Sequence, residues 1–399
     1  MPTHSPASSL RRPLNWALWL SATLLGVVII GSDILQLDGV RLTESRLVIG
    51  RDFLNVWSGG RLALTGQLDR LYDYAAYMSW QTAIFGPLDS YNYSYPPQSL
   101  FLAIPFGALP YLPALILWTL AGAGFFLWAA RSYMPAQLPL AAAIATPAAI
   151  INLWWGHYGF IIGGLWLLFF RHIDPAPRKA GIIAGLLTVK PHLGLFIALT
   201  LLHRRTLPAI LIALAVAGAL AVLSGLAFGF DLWRQWLVET SALQARIMNA
   251  SGEKFYFFMM PSAYVALRGF PIMLATGVQC AFAAAAMGLA WQARNAHPKQ
   301  LAFISASATA IMMPYIFNYD LTVASLGFAI LLYGRWAELA RWERIATWFA
   351  FASPLLVMAY NPIAPISLLA GLIVQVRHAH GRAGPQLCKH FLSSAIGAA

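Results

Sequence analysis

The sequence predicts an all-α polytopic membrane protein, and three observations carry that reading. Hydrophobic residues make up 59% of the 399 and charged residues only 10%, with a mean hydropathy of +0.66, a balance outside the range of water-soluble domains. Apolar runs follow one another along most of the chain. The short polar connections between them divide into a basic set and a set nearly free of Lys and Arg, which is how loop charge orients membrane helices. A net charge of +12 with pI near 9.9 would suit nucleic acid only if the cations formed one face. They are scattered between apolar runs instead, as loop charges that orient helices and touch anionic lipid. Cys280 lies in an apolar run and Cys388 near the C-terminus, so no disulfide framework is expected.

Taken in order, Arg11 and Arg12 precede the apolar run Leu14 to Ile30, with no small-residue cleavage site before Ser32-Asp33. This predicts an uncleaved signal anchor with a cytoplasmic N-terminus; the flanking pattern of a twin-arginine signal is absent. A first external segment, 31–97, mixes polar and aromatic residues. Within it Phe53, Val56, Trp57 and Gly60 share a helical face, predicting juxtamembrane amphipathic helices on the surface.

Apolar segments then fall at roughly 98–109, 112–130, 138–151, 158–170, 178–189, 191–202, 207–227, 271–293, 300–314, 321–333, 345–359 and 363–376. Connections carrying Arg131; Arg171, Arg178 and Lys179; Arg204 and Arg205; Arg294 and Lys299; Arg335, Arg341 and Arg344; and Arg377 and Arg382 are placed in the cytoplasm. Asn152 to His157, Pro314 to Asp320 and Tyr360 to Pro365 are placed outside. The assignment closes when 98–109 dips in from the outer face without crossing and the chain reverses at Lys190-Pro191, where proline removes a backbone donor. That gives a bundle of about twelve spans with both termini inside. If 180–202 were one span, everything after it would invert. A second external segment, 228–270, has the Trp and Arg content of an interfacial loop. Residues 1–377 form a single domain, and 378–399 a small-residue-rich cytoplasmic tail expected to be disordered. No internal repeat stands out.

Few residues can carry chemistry. Asp52, at the outer boundary between Arg51 and Phe53, suits a general base towards a hydroxyl; its bland alternative is an Arg-Asp pair on a solvated loop. Lys190 lies at a helix break inside an apolar run, where a buried ammonium marks a site by default, unless it snorkels to the interface. His157 follows Trp154-Trp155-Gly156 at an outer helix end, as a ligand contact or as a hydrogen-bonded interface residue. Asn318-Tyr319-Asp320 either lines the same cavity or caps a helix. Glu253, Lys254 and Arg268 could approach a phosphate from the second external segment, or be solvated loop charges. No P-loop, no GxGxxG after a strand, and no zinc spacing or HExxH is present, so nucleotide-driven transport, dinucleotide chemistry and a metal site lack support. Asn92-Tyr93-Ser94 and Asn249-Ala250-Ser251 match the short N-glycosylation sequon.

Three strings together resemble glycosyltransferase family 87: Arg51-Asp52-Phe53 to Trp57 with Gly66 and Leu71-Tyr72-Asp73; Tyr95-Pro96-Pro97 with Pro105 and Leu109-Pro110; and Trp155-Gly156-His157. The spacing of Gly181 to Lys190 with Arg204-Arg205, and the Pro314-to-Asp320 string, are also similar. The resemblance thus runs from about residue 45 to 335 and is specific mainly in combination. It implies a GT-C-like membrane enzyme that takes mannose or a related sugar from a polyprenyl-phosphate donor, with the catalytic aspartate of the first external loop at Asp52. The chain departs from the family in carrying His157 where Gln is common, and Phe317-Asn318-Tyr319 where Trp and His are frequent.

The resemblance implies a lipid or glycan acceptor hydroxyl on the outer face of a cell membrane, activated by Asp52, with inversion and no cofactor or metal. Lys190, Arg268 and His157 would meet the donor phosphate. Trp57, Tyr93, Tyr95, Asn318 and Asp320 would contact sugar or acceptor, the aromatics by stacking; their bland role is interfacial anchoring. The competing class is a lipid flippase or secondary transporter, which would also use a broken helix with a buried Lys but should show two-fold internal repetition.

Overall fold

A computed structural model describes residues 7–249 and 256–379, with side chains of 7–18 and 249 excepted. The side chains of Arg11 and Arg12, residues Glu253 and Lys254, the sequon at 249–251, and the tail beyond 379 with Arg382 and Cys388 lie outside the described residues.

Helix α1 (Ala7–Ile34) leads into a small antiparallel sheet of two-residue strands, β1 (Leu37–Asp38), β2 (Arg41–Leu42) and β3 (Leu47–Val48), paired in that order. This is the one departure from an all-helical reading among the described residues. Then come α2 (Phe53–Leu64), α3 (Tyr74–Phe85), α4 (Leu100–Gly107) and α5 (Tyr111–Ala130). The surface placement of α2 is corrected: Phe53 to Gly60 are buried without interruption, as is Leu62. Helix α3 covers its polar side, where Tyr77 Oη donates to Asn55 Oδ1 at 3.0 Å and Gln81 Nε2 to Ser58 Oγ at 3.0 Å. Helix α4 covers another side so closely that a Cβ on Gly60 would sit 2.3 Å from the Ala103 carbonyl oxygen, and one on Gly107 would sit 2.3 Å from the Gly60 carbonyl carbon. At eight residues, about 12 Å long, α4 packs back on α2 as a dip and not as a span. Residues 53–107 are therefore packed on one another and do not lie singly on a surface.

Helices α6 (Pro147–Trp155), α7 (Gly159–His172), α8 (Pro177–Leu186), α9 (Leu195–His203) and α10 (Leu207–Phe228) follow. Between α8 and α9 two short 3₁₀ turns meet at Lys190, whose φ, ψ of −126° and 73° leave the helical region. The chain reverses there. Gly181 of α8 faces Ala209 and Ile212 of α10, and Gly185, four residues on, faces Ala213 and Val216, so α8 and α10 run parallel and α9 must return between them. Arg204, just past α9, accordingly pairs with Asp174, just before α8, at 3.4 Å.

The stretch 228–270 holds α11 (Asp231–Gln235), a π-helical turn at Trp236–Thr240, α12 (Ser241–Asn249) and, after the undescribed residues, α13 (Ala263–Ala266). The bundle closes with α14 (Ile272–Gln292), α15 (Pro298–Met312), α16 (Thr322–Gly334), α17 (Arg341–Ala359) and α18 (Ile363–Ala379). Glu343 at the start of α17 accepts from Arg377 Nε near the end of α18 at 2.9 Å, tying this antiparallel pair at one end.

Among the described residues, α5, α10 and α14 are long and apolar enough to cross a membrane by length and composition. The window of each of the last two is only 17% buried in the protein, which leaves apolar faces such as Leu211, Leu214 and Leu223 for lipid. The architecture fits an all-α membrane protein.

Candidate active site

A cavity of about 250 Å³ lies where five separate stretches converge: the start of α2 with residues 90–96, the α6–α7 turn, the reversal at Lys190, the second external segment, and the α15–α16 connection. Except for Tyr360 to Pro365, the stretches predicted to face outward thus each contribute to one cavity.

Asp52 reaches the cavity through a local device. Gly50 and Arg51 both take positive φ, 78° and 34°, turning the chain out of β3 so that the Phe53 amide donates to the Gly50 carbonyl at 2.7 Å. Asp52 then stands at the N-cap of α2 without a capping hydrogen bond from its side chain, and its carboxylate is 29% exposed. His157 arrives from the other direction. Gly156 ends α6 in the left-handed conformation, φ 63°, where glycine carries no Cβ penalty. A Cβ there would also meet Phe53 Cβ at 2.6 Å. The end of α6 therefore docks on the start of α2, and His157 Nδ1 pairs with Asp52 Oδ2. The imidazole is flanked by the Tyr319 ring, stacked at 3.3 Å between centroids and 14° between planes; Phe317 stacks with Tyr319 in turn, at 5.1 Å and 6°.

Lys190 Nζ lies 2.5 Å from Asp320 Oδ1, with both side chains almost fully buried, and 5.3 Å from the Tyr319 centroid. Desolvation opposes ionisation of Asp52, but the charge and hydrogen bond of His157, then the Lys190 charge, then the Tyr319 hydroxyl outweigh it and hold the carboxyl below its ordinary value of 3.8. The carboxylate is ionised, partly open and beside a cavity. That is what accepting a proton from a bound hydroxyl requires.

Of the residues predicted from sequence, Asp52, His157, Lys190, Tyr95 and Asp320 line the cavity. Trp57 does not: its indole N–H donates to the Leu109 carbonyl at 2.9 Å and its ring packs among Trp80, Phe85 and Tyr111. Tyr93 is likewise turned away, hydrogen-bonded to Ser99 Oγ at 2.6 Å. Asn318 is fully buried and donates to the Pro354 carbonyl at 2.9 Å, joining the α15–α16 connection to α17. Arg268 lies over the Phe257 ring and does not line the cavity. Within the protein Lys190 is paired with Asp320 and His157 with Asp52. Asn92 of the first sequon lines the cavity, and the Ser94 carbonyl accepts from Trp236 Nε1 at 3.0 Å, so that sequon is built into the site.

Sequence reasoning missed Tyr319 as the stacking partner and Asp33 altogether. Asp33, 2% exposed in the last turn of α1, accepts from Arg51 Nη2 at 2.8 Å and from Trp154 Nε1 at 2.7 Å. A carboxylate inside the end of an apolar helix was the available signal. Arg51 therefore pairs with Asp33 and not with its neighbour Asp52.

The sequence model of glycosyltransferase family 87 matches residues 93–317, more than half of the chain. The chain belongs to glycosyltransferase family 87. No curated protein and no solved structure matches it. Within the family 87 segment lie Tyr95, His157 and Lys190, while Asp52 precedes it and Asp320 follows it. Family 87 membership makes the protein a membrane glycosyltransferase, with a sugar donor and an acceptor to accommodate.

Proposed function

We propose that the protein transfers a hexose, mannose by the family's usual donor, from a polyprenyl-phosphate sugar to a lipid or glycan hydroxyl at the outer face of the cell membrane. In this reading about twelve spans carry the site, with both termini in the cytoplasm. Asp52 takes the proton of the acceptor hydroxyl while the acceptor oxygen bonds to the anomeric carbon. The bond from that carbon to the phosphate oxygen breaks, its electron pair leaves with the polyprenyl phosphate, and the anomeric configuration inverts. No metal is assigned a part in the transfer. Tyr95, packed on Tyr158 with ring centroids 4.4 Å apart, offers the cavity an aromatic wall for a sugar's apolar face. The observation that carries the reading is the open carboxylate of Asp52, oriented and kept ionised by a buried histidine.

The test is transfer of radiolabelled mannose from polyprenyl-phosphate-mannose to a crude lipid and glycan extract, by purified protein in nanodiscs. A labelled product is expected, and its chromatography identifies the acceptor. If no label is transferred from this or another polyprenyl-phosphate hexose, and none of them binds, the donor class is wrong.

The pH dependence follows from Asp52. The deprotonated form is active and its pKa is depressed, so the rate should stay level through neutral and mildly acid pH. It should fall only as the pH drops through a value below the ordinary 3.8. An acid limb of kcat/KM well above the ordinary carboxylate range would mean that Asp52 is not the group whose protonation stops the reaction.

A further inference from the structure

We infer that Arg51 and Trp155, with Asn92, form the seat of the donor's phosphate; the inference rests on the lipid-phosphate donor proposed above. Four buried side-chain nitrogens on the cavity lining have no hydrogen-bond partner among the described residues: Arg51 Nε, Asn92 Nδ2, Trp155 Nε1 and His157 Nε2. The first three are donors only. A buried donor without an acceptor is costly, and a wall with several of them fits a ligand that brings acceptors and no protons.

Charge narrows that ligand to an anion. The Arg51 guanidinium is clamped along one edge by Asp33 and lies 4.5 Å from the Trp155 ring centroid. Asp33 is itself fixed by the Trp154 indole. This leaves the Nε–H without an acceptor, in a planar group whose donors match phosphate oxygens. The backbone at Arg51 is held at φ 34°, an uncommon conformation for a residue with a side chain. Lys190 is the weaker candidate, because its ammonium is 2.5 Å from a buried carboxylate. Depth agrees with a lipid headgroup: Arg51 is tied to the last turn of α1, the outer end of the first membrane helix in the proposed topology.

The experiment measures binding to the full chain in nanodiscs of zwitterionic lipid, with polyprenyl monophosphate, the corresponding polyprenol and inorganic phosphate as probes. The intact protein should bind the phosphorylated lipid at least about tenfold more tightly than the polyprenol, and millimolar inorganic phosphate should not compete. Arg51→Gln should weaken binding of the phosphorylated lipid by about 10- to 100-fold and leave the polyprenol unchanged, the size expected for hydrogen bonds to a charged group. Arg51→Lys should recover only part of the loss, since it keeps the charge without the fork. Trp155→Phe, which removes the N–H and keeps an aromatic ring beside the guanidinium, should cost about 3- to 10-fold, and decides the matter if Arg51→Gln fails to fold. No preference for phosphate in the intact protein would overturn the donor class and the seat together. A preference that survives both Arg51→Gln and Trp155→Phe but is lost in Lys190→Gln would overturn the seat alone. Full competition by inorganic phosphate would make it a site for free anions and not for a lipid headgroup.

Discussion

Asp52→Asn should leave a folded protein that binds its donor but transfers sugar about 10²- to 10⁴-fold more slowly, the range supplied by a positioned general base. Asparagine is nearly isosteric, and its carbonyl oxygen can still accept from His157 Nδ1, so the docking of α6 on α2 through Gly156 and Phe53 is undisturbed. What is lost is the basic oxygen alone. The effect should therefore appear in kcat, with the donor dissociation constant changed by less than about threefold. Single-turnover transfer beside equilibrium donor binding separates the two, and full transfer activity in the folded variant would remove Asp52 from the chemistry.

The second large effect is on stability. Asp320→Ala should destabilise the protein by about 3–5 kcal/mol, because it leaves the Lys190 ammonium without a counter-charge at a position where the residue is 6% exposed. The carboxylate also accepts from the Phe317 amide at 3.3 Å, so the turn that presents Tyr319 to His157 loses support. Replacing both partners, Lys190→Met with Asp320→Leu, should recover most of the loss, since no uncompensated charge then remains. Thermal unfolding in a fixed detergent, comparing both singles with the double, reads this directly. Equal destabilisation in the double and the Asp320 single would show that the cost comes from the turn and not from the stranded ammonium.

Much of the architecture was legible because its causes are local. Composition and loop charge are properties of short windows, and they indicated the membrane class. The proline at 191, with the placement of Arg204 and Arg205, indicated the reversal that the parallel α8 and α10 display. The burial of α2 was not legible: its apolar stripe resembles a surface helix until α3 and α4, which follow it in the chain, fold back to cover the remaining sides. The site divides in the same way. Asp52 and Lys190 stand out as charges beside apolar runs, but Lys190–Asp320 joins residues 130 apart and Arg51–Asp33 joins a loop to a helix end. Local pattern cannot supply such pairings. Among Tyr91, Tyr93 and Tyr95, only tertiary packing decides that the middle ring turns inward to Ser99 while the other two line the cavity.

Asp33 changes what the first helix is for. An anchor whose only task is to hold a chain in lipid is interchangeable with any apolar run of the right length. Here the final turn carries the acceptor that engages Arg51, so the cation stands apart from the carboxylate next to it in sequence. Asp33 acts as insulation between two neighbouring opposite charges, so a change in the last turn of the first helix reaches the site through Arg51.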